Sequence, residues 1–152
     1  MEPNGGAQSY LRTKILTASP QQLRLMLYDG AIKFCRQATD AIAANDIEGK
    51  FNALMRAQKI VLELSTSLNH DVAPELCGKL GALYTYIYRL LVDANVNGQA
   101  QPIDEAIELL EYEKETWQML MQRLASEDTS QDDAGGDTQA QQTAISSFSA
   151  KG

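Results

Sequence analysis

Few residues of this chain could do chemistry. There is one histidine, His70, two cysteines, Cys35 and Cys77, and a run of acids at Asp104, Glu105, Glu108, Glu111, Glu113 and Glu115. A zinc centre takes several Cys, His or carboxylate ligands, and a di-iron bundle needs Glu-x-x-His pairs on two helices. A single histidine satisfies neither. The cysteines lie far apart with no C-x-x-C spacing, which reads as two buried, reduced thiols rather than a redox pair. The acids occupy the first half of a helical stretch, where negative charge complements the helix dipole, and Asp104, Glu108 and Glu111 fall on one solvated face. No Gly-rich phosphate loop, P-loop or G-x-S-x-G elbow occurs. The expectation is therefore no enzyme, no metal and no cofactor.

The elements that carry these residues read as helices. With 152 residues and 44% hydrophobic composition, the chain suits one domain with its own core. The net charge of −7 argues against nucleic acid or an anionic membrane as partner. No apolar run approaches the roughly 18 residues of a membrane span, and Met1–Gly6 has neither the basic start nor the apolar stretch of a secretory signal. Residues 1–9 and 126–152 lack a hydrophobic period and are read as disordered. From Glu127 onward the tail carries four of the seven net negative charges, with Ile145 and Phe148 among its few large apolar residues.

Between these ends four helices are predicted, at about 20–44, 46–68, 75–96 and 102–125. Ser19, Pro20 and Gln22 form a capping-box start and Asp46 an N-cap. Asn97-Gly98 is a left-handed stop. Helices of similar length joined by short loops pack as an all-α, antiparallel up-and-down four-helix bundle. The expected core stripes are Leu23, Leu27, Gly30, Phe34 and Ala41; then Ile47, Phe51, Leu54, Val61 and Leu68; then Leu76, Leu80, Leu83, Ile87 and Leu90; then Ile103, Ile107, Leu110, Trp117, Met121 and Leu124.

The first predicted helix has a second apolar seam, Leu25, Tyr28, Ile32 and Cys35, on the far side from Leu23 and Phe34. The second helix carries a row at Ala53, Ala57, Ile60 and Leu64, and the third flanks its core with Tyr84 and Tyr88. Two arrangements fit: a thick bundle that covers these seams within the chain, or a surface for another protein. Residues 10–17, apolar through Tyr10, Leu11, Ile15 and Leu16, could lie in a groove. Eight residues cannot cover two seams over roughly 35 Å, which favours a partner surface, suited to a ligand that folds on binding.

The stretch Tyr10 to Phe34 reads Y-L-R-T-K-I-L-T-A-S-P-Q-Q-L-R-L-M-L-Y-D-G-A-I-K-F. It resembles the opening of the flagellar export chaperone FliS family: a Tyr, four variable residues, a Val-like residue, then T-A-S-P-x-x-L-x-x-M-L-Y-[DN]-G-A-I. Tyr10, Ile15, Thr17–Pro20, Leu23 and Met26–Ile32 fall on that pattern. Weaker similarity continues at Ala57–Val61, Glu63-Leu64, Leu83–Tyr86, Ala94-Asn95 and Glu115–Trp117, so that it spans about residues 10–124. The acidic tail lies outside it.

The resemblance implies an elongated antiparallel bundle with an N-terminal cap segment, in a bacterial cytoplasmic chaperone. Its partner would be the C-terminal region of flagellin, kept from premature polymerisation and delivered to the type III export apparatus. The export gate and other flagellar regulators are further partners it leaves open, and a monomer or weak homodimer is expected. The segment bearing Tyr10 would be displaced or rearranged on binding. The expected partner groove comprises Tyr10, Ile15, Leu25, Tyr28, Ile32, Cys35, Ala53, Ala57, Ile60, Leu64, Tyr84 and Tyr88. The alternative is a self-associating structural bundle whose second seams meet in a homodimer.

Overall fold

The structure, a computed structural model, describes residues 5–71 and 73–131. Five helices follow one another: α1 Gly5–Thr17, α2 Pro20–Ala43, α3 Ile47–Thr66, α4 Pro74–Asn97 and α5 Gln101–Gln131. Among the described residues no strand occurs. Gly5–Ser9, expected without structure, open α1, and α5 continues past Ala125 to Gln131. The rest of the expected tail, residues 132–152, lies outside the described residues.

Local chemistry sets the helix ends. Ser19 Oγ accepts from the Gln22 amide while the Gln22 side chain accepts from the Ser19 amide, so the capping box is formed, with Pro20 at the first position. Asp46 caps α3 by accepting from the Gly49 amide at 2.9 Å. A Cβ at Gly49 would collide with that carboxylate, so a larger residue there would force the Asp46 side chain to shift. α4 stops at Gly98, whose φ of 66° is the left-handed conformation that glycine adopts without steric penalty.

Helices α2 to α5 form a closed ring in chain order: α2 packs on α3 and α5, and α4 on α3 and α5. Cross-helix bonds fix antiparallel directions. Arg24 near the start of α2 meets Ser67 just past the end of α3; Lys50 near the start of α3 donates to the Asn95 carbonyl near the end of α4; Trp117 of α5 donates to the Gln21 carbonyl of α2. The fold is therefore the expected all-α antiparallel bundle. None of the residues of α1 is buried, and Tyr10 and Leu16 are exposed.

The core runs down the ring through Tyr28, Cys35, Leu54, Val61, Leu64, Tyr84, Ile87, Leu91, Ile103 and Leu110. The α2–α3 joint is built from small residues: Ala31 and Ala38 face Ala53 and Ala57 in the same core, all buried. At Gly30 an added Cβ would lie 3.1 Å from Ile60 Cδ1, so the Ile60 side chain packs directly over the glycine.

The expected core stripes need correction at their outer members. Leu23, Ile47, Phe51 and Leu76 are exposed, Ile47 at 77%, while Leu27, Gly30 and Phe34 are half-buried. On α2 the buried line is Arg24, Tyr28, Ala31, Ile32, Cys35, Ala38 and Ala41. Its axis lies between the two seams seen in the sequence and takes in most of the one expected to face outward.

Candidate functional site

Of the twelve residues expected to line a partner groove, seven are buried inside the bundle: Tyr28, Ile32, Cys35, Ala53, Ala57, Leu64 and Tyr84. The expectation that they form open seams is overturned by that burial, because the ring of four helices closes over them. The other five stay at the surface but do not converge. Leu25 and Ile60 are half-buried against the core, Ile60 beside Gly30. Tyr88 is half-buried on α4, and Tyr10 and Ile15 stand exposed on α1.

Arg24, which the sequence reading passed over, is the centre of a buried polar cluster. Its side chain is only 3% exposed. The guanidinium donates to Tyr84 Oη at 2.6 Å and to Ser67 Oγ at 3.4 Å, and the Tyr28 and Tyr84 hydroxyls are 2.7 Å apart. The rings of Tyr28, Tyr84 and Trp117 lie 5.5, 5.8 and 5.3 Å from the guanidinium carbon. A buried cation persists when it is hydrogen-bonded and faced by π-systems. The signal in the sequence was there: Arg24 stands four residues before Tyr28, on the line that becomes the core.

Burial raises the pKa of both tyrosine hydroxyls, with Arg24 opposing it. Burial pushes the Cys35 thiol up to about 12 and raises that of Cys77, so both are protonated and poor nucleophiles at neutral pH. His70 is exposed in the α3–α4 loop. Among the described residues, no three His, Cys, Asp or Glu side chains gather as metal ligands.

What the surface offers is an apolar groove between α3 and α4. On α3, Phe51, Met55, Leu62 and Ser65 repeat at helical spacing on one side, and on α4 Gly81, Thr85, Tyr88, Val92 and Val96 do the same. The two rows meet in a hollow of about 140 Å³ lined by Val61, Leu62, Ser65, Tyr84, Thr85 and Tyr88. At the other end, the Lys50–Asn95 bond holds the same helix pair together. Leu62 is 53% exposed and Phe51 50%. From Phe51 to Ser65 the α3 row runs on the order of 20 Å, about four helical turns. Tyr84 forms its floor, and Arg24 and Tyr28 hold the Tyr84 hydroxyl in place.

The seams around α5 differ in kind. Between α2 and α5, Arg36 pairs with Glu111 and Lys114 with Asp29. Between α4 and α5 the Tyr86 hydroxyl donates to Glu105. The α2–α3 seam is shut by its small residues, with Phe34 under the Arg56 guanidinium at 5.4 Å. Charge and close packing thus occupy three seams, while the α3–α4 seam presents apolar side chains. No helix among the described residues is long and apolar enough to cross a membrane.

The family model described as flagellar protein FliS matches residues 3–124. A flagellar secretion chaperone FliS of Bacillus subtilis (strain 168) is 37% identical over 114 residues, covering 75% of this chain and 84% of the relative. The protein of the same description from Campylobacter jejuni is 32% identical, covering 77% of this chain and 91% of the relative. That of Salmonella typhimurium is 31% identical over 124 residues, covering 81% and 92%.

Proposed function

The chain belongs to the flagellar protein FliS family, and we propose that it is a cytoplasmic chaperone for the C-terminal region of flagellin, which it keeps from polymerising and passes to the type III export apparatus. The observation that carries this reading is the apolar α3–α4 groove, in a member of a family whose relatives are described as flagellar secretion chaperones. A client segment without fixed structure folds as an amphipathic helix with its apolar face on Phe51, Met55, Leu62, Tyr88 and Val92. Tyr10 and Ile15 on α1 and the half-buried Leu25 and Ile60 supply further contacts. Each apolar side chain covered contributes about 25 cal/mol per Å². Ordering the client costs several kcal/mol of that gain, which keeps the complex releasable.

The test is titration of a fluorescent flagellin C-terminal peptide into the wild-type chain and into Leu62→Asp. A carboxylate in the groove removes the apolar contact and must be desolvated, so Kd should rise roughly 10- to 100-fold. Leu62 is half-exposed, so far-UV helicity should not change. Unchanged affinity in a helical Leu62→Asp protein would place the client elsewhere.

A further inference from the structure

We infer that the outer face of α4 and α5 docks a second copy of this chain. The two copies are related by a two-fold axis parallel to the helices, so that α4 of each lies on α5 of the other. This is a different face of α4 from the one proposed for flagellin, and the inference does not depend on what the client is.

Each of the two helices carries a second stripe beside its core line. On α5 the core line is Ile103, Ala106, Leu110 and Trp117. Next to it Leu109, Tyr112, Thr116 and Met119 repeat at intervals of 3, 4 and 3, the period of a helix face that packs on another helix. Tyr112 is nevertheless 67% exposed and Met119 62%. On α4, Leu83, Tyr86 and Leu90 repeat at intervals of 3 and 4, outside the buried Tyr84, Ile87 and Leu91. The Tyr86 hydroxyl donates to Glu105, which sets the two stripes side by side on one face. Lys79 lies seven residues before Tyr86 and Tyr112 seven after Glu105, so on antiparallel helices the two stand at the same level.

Charge and symmetry select a second copy as the occupant. A two-fold axis along the helices keeps every residue at its level and exchanges α4 for α5 across the interface. It sets Lys79 of one copy over Tyr112 of the second copy, with Glu108 of the second copy one helical turn away, and does so twice. Among the described residues no ion pair takes up Lys79 or Glu108. An ammonium group complements both an aromatic ring and a carboxylate. The contact is isologous, so it closes at a dimer. From Glu105 to Met119 the face is about 21 Å long, and two helices make it about 20 Å wide. The two copies together bury on the order of 1,000 Å², at the low end of specific interfaces, which suits a dissociation constant of roughly 10–100 µM. The α3–α4 hollow, lined by Thr85 and Tyr88 on the other flank of α4, stays open in such a dimer.

Sedimentation velocity of the full chain, with no flagellin present, tests this directly. The wild type should pass from monomer to dimer between about 5 and 500 µM. Tyr112→Glu puts a carboxylate at the centre of the face. The side chain is exposed in the single copy, so far-UV helicity should hold while the dissociation constant rises at least about tenfold. Lys79→Glu and Glu108→Lys should each weaken association, and an equimolar mixture of the two should recover it, because every opposed pair in the mixed dimer is again unlike. Leu62→Asp, in the α3–α4 groove, should dimerise as the wild type does. A monomer at every concentration, a Tyr112→Glu protein that associates as tightly as the wild type, a mixture no better than its components, or loss of the dimer in Leu62→Asp would each overturn the proposal. Because no client is added, failure here leaves the flagellin reading untouched, and failure of peptide binding leaves this result untouched.

Discussion

Removing the charge from the buried cluster separates what holds Tyr84 from what fills space. Arg24→Met keeps an unbranched side chain in the slot but deletes the guanidinium, its bonds to Tyr84 and Ser67, and its stacking on Tyr28, Tyr84 and Trp117. A hydrogen bond from a charged donor contributes about 1.5–3 kcal/mol and a desolvated cation–π contact about 2 kcal/mol. Against these stands a desolvation penalty of several kcal/mol for the guanidinium. The opposing terms are of similar size, so Arg24→Met should shift the unfolding free energy by no more than about 2 kcal/mol. Arg24→Ala also leaves a cavity and should cost about 3–5 kcal/mol. The decisive quantity is the coupling to Tyr84. In the wild type, Tyr84→Phe strips a partner from a buried cation and should cost about 2–3 kcal/mol; in Arg24→Met it removes only the neutral bond to Tyr28, worth about 1 kcal/mol. Urea unfolding of the four proteins, followed by far-UV circular dichroism with m held constant, should give a coupling energy of about 1–2 kcal/mol. An equal cost of Tyr84→Phe in both backgrounds would refute the charge-assisted bond as what fixes the groove floor.

Cys35 and Cys77 are both buried with raised thiol pKa values, so iodoacetamide at pH 8 should label neither in the native protein and both in urea; rapid native labelling would contradict the packing. Burial raises the Glu113 carboxyl above its usual 4.5, with Arg24 opposing. A carboxyl raised by folding contributes stability that is present below its unfolded pKa and lost as pH rises through the folded one. Wild type should therefore lose stability relative to Glu113→Gln as pH rises above 4.5, and a constant difference in urea midpoints would show that Glu113 is not desolvated. Asp46→Ala removes the α3 cap and should lower stability by about 1 kcal/mol, with Asp46→Asn restoring most of it; no loss in Asp46→Ala would mean that water caps the helix equally well.

The elements were legible in the sequence because short-range chemistry sets them. Ser19–Gln22, Asp46 and Gly98 each satisfy or release backbone groups within a few residues, and they mark helix ends whatever the rest of the molecule does. The orientation of α2 was not legible, for a physical reason. Its apolar residues wrap a wide arc, from Leu23, Leu27 and Phe34 round to Leu25 and Ile32, so periodicity offers two stripes and no way to rank them. What chooses between them is the closeness of the α2–α3 joint. Gly30, Ala31 and Ala38 against Ile60, Ala53 and Ala57 let the backbones approach until the larger side chains on one flank, Leu27 and Phe34, are levered half out of the core. The opposite flank then turns inward and carries Tyr28, Ile32 and Cys35 with it. Alanines, the least conspicuous residues in a hydropathy pattern, thus decide which of two conspicuous seams is core. Arg24 follows from the same rotation: once Tyr28 points inward, the residue one turn earlier must do so too, and a charge on that line needs the hydroxyls and rings that meet it. The groove on α3 and α4 is the complement of this arrangement. On α3, Ala53 and Ala57 take the flank against α2 and Leu54, Val61 and Leu64 fill the core, so that Phe51, Met55 and Leu62 are left on the far flank, at the α4 side and open to a partner.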